Sequence, residues 1–583
     1  MVRDPVSRPL NGQRLAYDPT RPWIPGTIGF TDTPETLPRA PAKEDTFPMM
    51  VLRGIATQEG QAVPVMKSEI SGAAGSAAVV GVGTVVGNVV KYGNSFLIQR
   101  GFGPGPTGLY TVCLSIVTLA SSIFNLGLDD AMIRYIPIYR GKKQPHFLRG
   151  LTIFCSALAV LAGIIGAIVV IFLTPLIASI KQSPGLIPIL EMMAPFVALT
   201  CMQVVWSAGL QGFKAFKWRV LTQRMIIPLV MFALMAVDIL FFRRSALAGV
   251  VIVLLISTTV GAVVSLYFLT KMLNRLNAAA AQQYELREWL GFAAPNFLTS
   301  VVDTVLESID TLLLAFFRIS NYAIGLYAAA IKISVFIAVP LQSLNVMFTP
   351  TISELYSKGE IEKLKVMFKI VTKWTITFSL PIFWIAVLFS RSLLDLPGKG
   401  FGGAWPLLVA FSIGAIVNAG TGSVGYMLLM TGHQKLSFLN SLVAVVVNLI
   451  LGVVLTPRYG AMGTAIATGL AVAVVNLMRL LQVGLILKMQ PYRMDTLKPI
   501  VAGLTSAIIT GGLLFFLDRL NIIFYPFRVV KLNIDLTLIP VFLAGYIILL
   551  ALFKLSPEDQ IVVEALRRKF KRGAKNKPAA LSA

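Results

Sequence analysis

Gly108-Leu109-Tyr110 and Gly325-Leu326-Tyr327 stand 217 residues apart, and Tyr139 recurs at the same offset as Tyr356. Between these landmarks each copy carries an apolar run of about 20 residues, the length a helix needs to cross the hydrocarbon core. A chain built from two such halves reads as a membrane protein with an internal structural repeat, an architecture typical of transporters.

Composition agrees. Of 583 residues, 56% are hydrophobic and only 13% charged, against roughly 25% charged in soluble domains. That much apolar side chain exceeds what one globular core hides, so the bilayer is the expected solvent. The net charge of +24 would suggest nucleic acid in a soluble protein. Here the basic residues gather in loops and tails, so they are read as orientation signals and contacts to anionic lipid, with no nucleic-acid partner. Cys113, Cys155 and Cys201 all fall in apolar runs without metal-ligand spacing and are expected to be core thiols.

Fourteen apolar runs are near spanning length: Ala73–Leu97, Thr107–Leu126, Gly150–Leu173, Leu186–Leu210, Leu221–Phe242, Ala246–Leu269, Trp289–Phe316, Ala323–Phe348, Val366–Phe389, Trp405–Leu429, Phe438–Leu455, Ala461–Leu487, Ile500–Leu517 and Leu536–Phe553, numbered as spans 1 to 14. Connections after even-numbered spans carry 21 basic residues and those after odd-numbered spans 11. The positive-inside rule then places the even connections and both termini in the cytoplasm. The expected fold is an all-α polytopic membrane protein of about 14 helices, with two pseudo-symmetric six-helix lobes around a central cavity and two further C-terminal helices. Its expected divisions are 1–72, a disordered, proline-rich cytoplasmic tail; 73–287, spans 1–6; 288–490, spans 7–12; 491–555, spans 13 and 14; and 556–583, a basic cytoplasmic tail.

The run Gly101-Phe102-Gly103, Gly108-Leu109-Tyr110, Leu126-Gly127-Leu128 and Ile133-Arg134-Tyr135 resembles the opening of polysaccharide transporters. These are the lipid-linked oligosaccharide flippases of the multidrug/oligosaccharidyl-lipid/polysaccharide (MOP) superfamily. Ile309-Asp310-Thr311-Leu312-Leu313-Leu314, Asn440, Asn448 and Pro457-Arg458-Tyr459-Gly460-Ala461-Met462-Gly463-Thr464-Ala465 resemble the same family's second half. The resemblance covers about residues 75–490. It implies two lobes whose cavity opens alternately to each side of the cytoplasmic membrane, and a substrate of polyprenyl-diphosphate-linked oligosaccharide. It also implies work alongside a polysaccharide polymerase and glycosyltransferases, in contact with membrane lipids. By analogy with the peptidoglycan-precursor flippase, spans 13 and 14 would form a groove for the lipid tail.

Such a flippase must carry a pyrophosphate through a medium where an unpaired charge is expensive. Lys91 in span 1 and Lys332 in span 8 lie well inside apolar runs, each about 13 Å from the external end at 1.5 Å per residue. They are the expected headgroup-binding residues; the alternatives are snorkelling or pairing with a structural acid. Arg134, at the cytoplasmic end of span 2, fits a headgroup-receiving residue and a topology anchor equally. In span 7, Asp303, Glu307 and Asp310 share a helical stripe with Asn296. Each acid at mid-membrane costs about 3 kcal/mol to insert, so the stripe should face water or a partner. It is either a site for a coupling Na⁺ or H⁺, or a set of ion-pair partners for Lys332 and Lys91. No other cofactor and no metal is expected. No phosphate-binding loop, nucleophile elbow or zinc spacing appears, and no loop is long enough for a catalytic domain, so a transporter rather than an enzyme is expected. The alternatives are a cation-coupled multidrug extruder and, further off, a membrane glycosyltransferase or polymerase.

Overall fold

The computed structural model describes residues 87–238, 247–274, 282–398, 400–519 and 534–553. All lie in one compact unit, Ala73–Ala583; the expected N-terminal tail and the basic C-terminal tail fall outside the described residues. Among the described residues there is no strand, and eleven helices are long and apolar enough to cross a membrane. The other three expected spans are helical where described. Residues 87–102 carry span 1, Leu286–Phe316 carries span 7 with its acids, and the short Ile539–Leu552 carries span 14.

Proline starts many of these helices. Pro104, Pro145, Pro195, Pro228 and Pro406 stand at first-turn positions, where a missing N–H leaves no bond unmade. Glycine interrupts them: Gly127, left-handed at φ 68°, separates span 2 (Pro104–Phe124) from its continuation Leu128–Gly141. Two boundary shifts bear on the basic residues: span 3 runs on to Lys181 (Pro145–Lys181), and span 5 begins at Phe216, so that Arg219 is a helical rather than a loop residue.

We call the two sides of the molecule the odd and even faces, after the spans whose connections emerge there. The apolar core divides between them. At the odd end one continuous cluster joins both halves, with Tyr110, Val112 and Cys113 packed in the same core as Tyr327, Leu408 and Phe411. At the even end there are two separate clusters. One is built on Leu128, Tyr139, Trp206 and the span 7 residue Trp289; the other is built on Phe348, Phe368 and Met427. The halves are thus sealed by one shared core at the odd face, while at the even face the start of span 7 joins the first half's core and Phe348, Phe368 and Met427 keep a separate one.

Candidate functional site: a cationic cavity

The seal is made by the repeat itself. A Cβ on Gly108 would stand 1.8 Å from the carbonyl oxygen of Asn321, and one on Gly325 would stand 1.9 Å from that of Pro104. Pro104 and Asn321 are themselves 217 residues apart. The contact is therefore reciprocal, like the self-complementary contact of a twofold dimer, and the pseudo-twofold axis runs between spans 2 and 8. Polar contacts surround it. Lys181 donates to the Ile319 carbonyl, Arg318 to the Ile180 carbonyl at 2.9 Å, and Asn321 to Ser183 at 3.3 Å.

Deeper in the molecule a cavity of about 460 Å³ opens, walled by spans 1, 2, 4, 5 and 6 of the first half and reached from the second half by Lys332. Lys91 and Lys332, the two lysines expected at one depth, both line it, and their charges repel one another there. Neither makes an ion pair with an acid among the described residues. Beside them the rings of Tyr92 and Phe336, one from each half, meet with centroids 4.7 Å apart. Asn88, Asn94, Gln203 and Gln223 add amides to the wall, and among the described residues no carboxylate lines it.

A third cation, Arg224, lines the same cavity and was not expected there from the sequence. Its placement follows from local backbone chemistry. Pro228 has no N–H to offer the Arg224 carbonyl four residues back, and Leu221–Ile226 forms a π-turn, a device frequent at functional sites. The freed region is met by span 1: a Cβ on Gly87 would lie 1.9 Å from the Arg224 oxygen, and Asn94 donates to the Pro228 carbonyl at 2.9 Å. Span 1 is thereby held against span 5 with Lys91 and Arg224 on the same cavity wall. The nearby arginine, Arg219, instead contacts Gln223, whose amide donates to Ser207 at 2.7 Å.

The acidic stripe separates into two environments. Asp303 and Glu307 are exposed and Asn296 half-buried, and among the described residues none of them bonds to a lysine. At about 100° per residue they lie on the side of the helix opposite Leu312 and Phe316, which line an apolar groove. Asp310 is buried, 8% exposed, and accepts a 2.9 Å hydrogen bond from the Asn448 amide. The hydroxyls of Tyr327 and Thr468 lie around the same carboxyl, and the Asn448 carbonyl oxygen has no hydrogen-bond partner of its own. The expected pairing of Asp310 with Lys332 or Lys91 is not formed. Neutral oxygens and one amide surround it, because spans 7, 8, 11 and 12 bring only polar uncharged side chains to that level.

Arg134 sits elsewhere. On the continuation of span 2 it stacks over Phe292 at 4.1 Å, outside the cavity lining. Around it the continuation grips the start of span 7. Trp289 donates to the Tyr139 hydroxyl at 2.8 Å, Tyr139 donates to the Glu285 carboxylate, and a Cβ on Gly127 would lie 2.4 Å from the Ala293 carbonyl. Burial and the Glu285 bond push the Tyr139 phenol well above its ordinary range.

Residues 74–356 match the family described as polysaccharide biosynthesis protein. The fold matches the lipid II flippase MurJ in an inward closed conformation, at a TM-score of 0.62 and 16% identity, over 82% of this chain and 98% of that one. It also matches an inward-facing multidrug resistance MATE family transporter of the MOP superfamily, at a TM-score of 0.59 and 14% identity, over 69% and 94%. The chain shares the fold of these transporters. A further MOP superfamily transporter, from Pyrococcus furiosus, matches at a TM-score of 0.52 and 14% identity, over 71% and 95% of the two chains. No curated protein sequence matches the chain. With eleven helices long and apolar enough to cross a membrane among its described residues, the protein is a multi-pass membrane protein of this fold.

Proposed function

We propose that this protein flips a polyprenyl-diphosphate-linked oligosaccharide across the cytoplasmic membrane by alternating access, for cell-surface polysaccharide biosynthesis. The observation that carries the reading is the cavity's charge: Lys91, Lys332 and Arg224 converge on one space with four amides and, among the described residues, no acid. A diphosphate supplies the anion those cations lack, in charge-assisted hydrogen bonds worth about 1.5–3 kcal/mol each. The amides suit sugar hydroxyls. An extruder of cationic drugs would need the opposite sign in the same place.

In this reading the odd face is external, both termini are cytoplasmic, and the sealed odd end makes this the state that receives substrate from within. Glycosyltransferases and a polymerase would stand before and after it in the same membrane. Asp310 is the coupling residue. An unpaired buried carboxylate is costly, so it is neutralised by a proton or by a sodium ion held among the Asp310, Asn448, Tyr327 and Thr468 oxygens. Loading it would bias the packing of spans 7, 8, 11 and 12 and so the choice between states.

The test is reconstitution in liposomes with a fluorescent polyprenyl-diphosphate oligosaccharide, scoring its appearance on the far leaflet. Movement that requires the diphosphate and is lost in the Lys91→Gln, Lys332→Gln pair supports the reading. Equal movement of a neutral polyprenyl glycoside, or transport of organic cations in its stead, overturns it.

A further inference from the structure

An apolar groove of about 340 Å³ runs along the outside of the seam between the halves, walled by Val112 and Ile116 of span 2, Leu173 and Ile177 of span 3, and Leu312 and Phe316 of span 7. It opens to the hydrocarbon, where Phe172 and Phe316 are 81% and 62% exposed. Its walls extend from Val112 to Phe124 on span 2 and from Val169 to Lys181 on span 3, about 18 Å on each at 1.5 Å per residue. That is a little over half of the roughly 30 Å hydrocarbon core, the depth of a single leaflet.

The odd end of the groove is cationic. Lys181 lines it, and Arg318 reaches the neighbouring Ile180 carbonyl. Each spends one donor on a carbonyl of the opposite half, Lys181 on Ile319 and Arg318 on Ile180. An ammonium has three donors and a guanidinium five, so donors remain on both. Neither makes an ion pair among the described residues, and both stand at the level of the odd-face headgroups.

We infer that this groove is a binding site for an anionic glycerophospholipid of the odd-face leaflet, with one acyl chain along spans 2, 3 and 7 and its phosphate between Lys181 and Arg318. The length fits one chain of one leaflet, and the charge fits a phosphate. The site exists only while the halves are together at the odd face, since Lys181 belongs to the first half and Arg318 to the second. A lipid seated there binds the sealed state alone and shifts the population toward it by its full differential affinity. The leaflet's content of anionic lipid thereby regulates the transporter, independently of what the central cavity carries.

The experiment uses the full chain in nanodiscs of phosphatidylglycerol or of phosphatidylcholine. Spin labels at Gly105→Cys and Gly403→Cys, both open positions at the odd face, report the separation of the halves, and native mass spectrometry counts retained lipids. The expected result is a retained phosphatidylglycerol preferred at least tenfold over phosphatidylcholine, and a short label distance more populated in phosphatidylglycerol. The Lys181→Gln, Arg318→Gln pair should lose the retained phosphatidylglycerol and any difference in label distance between the two lipids, whatever its distance in phosphatidylcholine once two contacts across the seam are gone. Ile116→Trp, which fills the groove and leaves the cations alone, should also lose them; it keeps the test decisive if the charge pair folds poorly. Label distances identical in the two lipids overturn the inference. So does retention of phosphatidylglycerol by the Ile116→Trp variant, or displacement of it by a polyprenyl diphosphate, which would assign the groove to the substrate's own tail.

Discussion

Gly108 and Gly325 face one another across the seam between the halves: a Cβ on Gly108 would stand 2.7 Å from the Gly325 nitrogen. Each is pinned by the other's neighbourhood, so no side chain fits at either position while the odd face is sealed. Gly325→Ala should weaken the seal and Gly325→Leu should break it. The expected outcome is a folded protein whose odd-face labels at Gly105→Cys and Gly403→Cys report a longer separation, with flipping reduced at least tenfold. Gly108→Leu should give the same phenotype, because the contact is reciprocal. Unchanged label distances in both variants would show that the seal lies elsewhere.

In the cavity, Lys332→Gln should lower the apparent affinity for a diphosphate substrate by about 10- to 100-fold, the equivalent of one charge-assisted hydrogen bond. Arg224→Gln should do the same. Neither should lower the melting temperature in detergent, since each removes a cation that has no acidic partner in the described structure. A loss of stability without a change in affinity would reassign these cations to architecture.

Asp310→Asn keeps the shape of the buried carboxyl and removes its charge. Flipping should lose its dependence on Na⁺ or on a proton gradient, and the melting temperature should hold or rise, because a buried carboxyl that must be neutralised to stay folded is replaced by a neutral amide. Asp303→Asn with Glu307→Gln should leave both properties nearly unchanged, as those carboxylates are exposed. The opposite pattern would move the coupling site outward along the stripe.

At the even face, Tyr139→Phe breaks the Trp289–Tyr139–Glu285 chain of hydrogen bonds. It should cost about 1–3 kcal/mol, the range for leaving a buried polar partner unsatisfied, read as a fall in melting temperature. Trp289→Phe in the same background should add little, because the two residues share one interaction.

Part of this was legible in the sequence and part was not. The repeat announced two equivalent halves, but equivalence is not adjacency, and nothing in Gly-Leu-Tyr says that the two copies touch. Lys91 and Lys332 were legible as cavity residues because a lysine deep in an apolar run has few other places to go. Arg224 was hidden because hydropathy starts span 5 at Leu221, where an arginine reads as an anchor; Pro228 was the available signal that the backbone departs from an α-helix. The stripe in span 7 was visible by its period, yet period cannot tell which of its acids is covered. Asn448, Tyr327 and Thr468, which enclose Asp310, come from three other helices and carry no charge to mark them.

The π-turn at Leu221–Ile226 has a meaning for how span 5 can vary. A π-turn is an α-helix holding one residue too many, so the flanks on either side keep the faces they would have without it. Removing a single residue between Leu221 and Ile226 should close the helix and leave Met231, Leu234 and Met235 in their present core positions. What it would take away is the outward loop of backbone that carries Arg224 to the cavity. The third cation is thus separable from the membrane span that bears it, and a homologous chain one residue shorter here could keep the transporter fold while presenting a cavity with two positive charges in place of three.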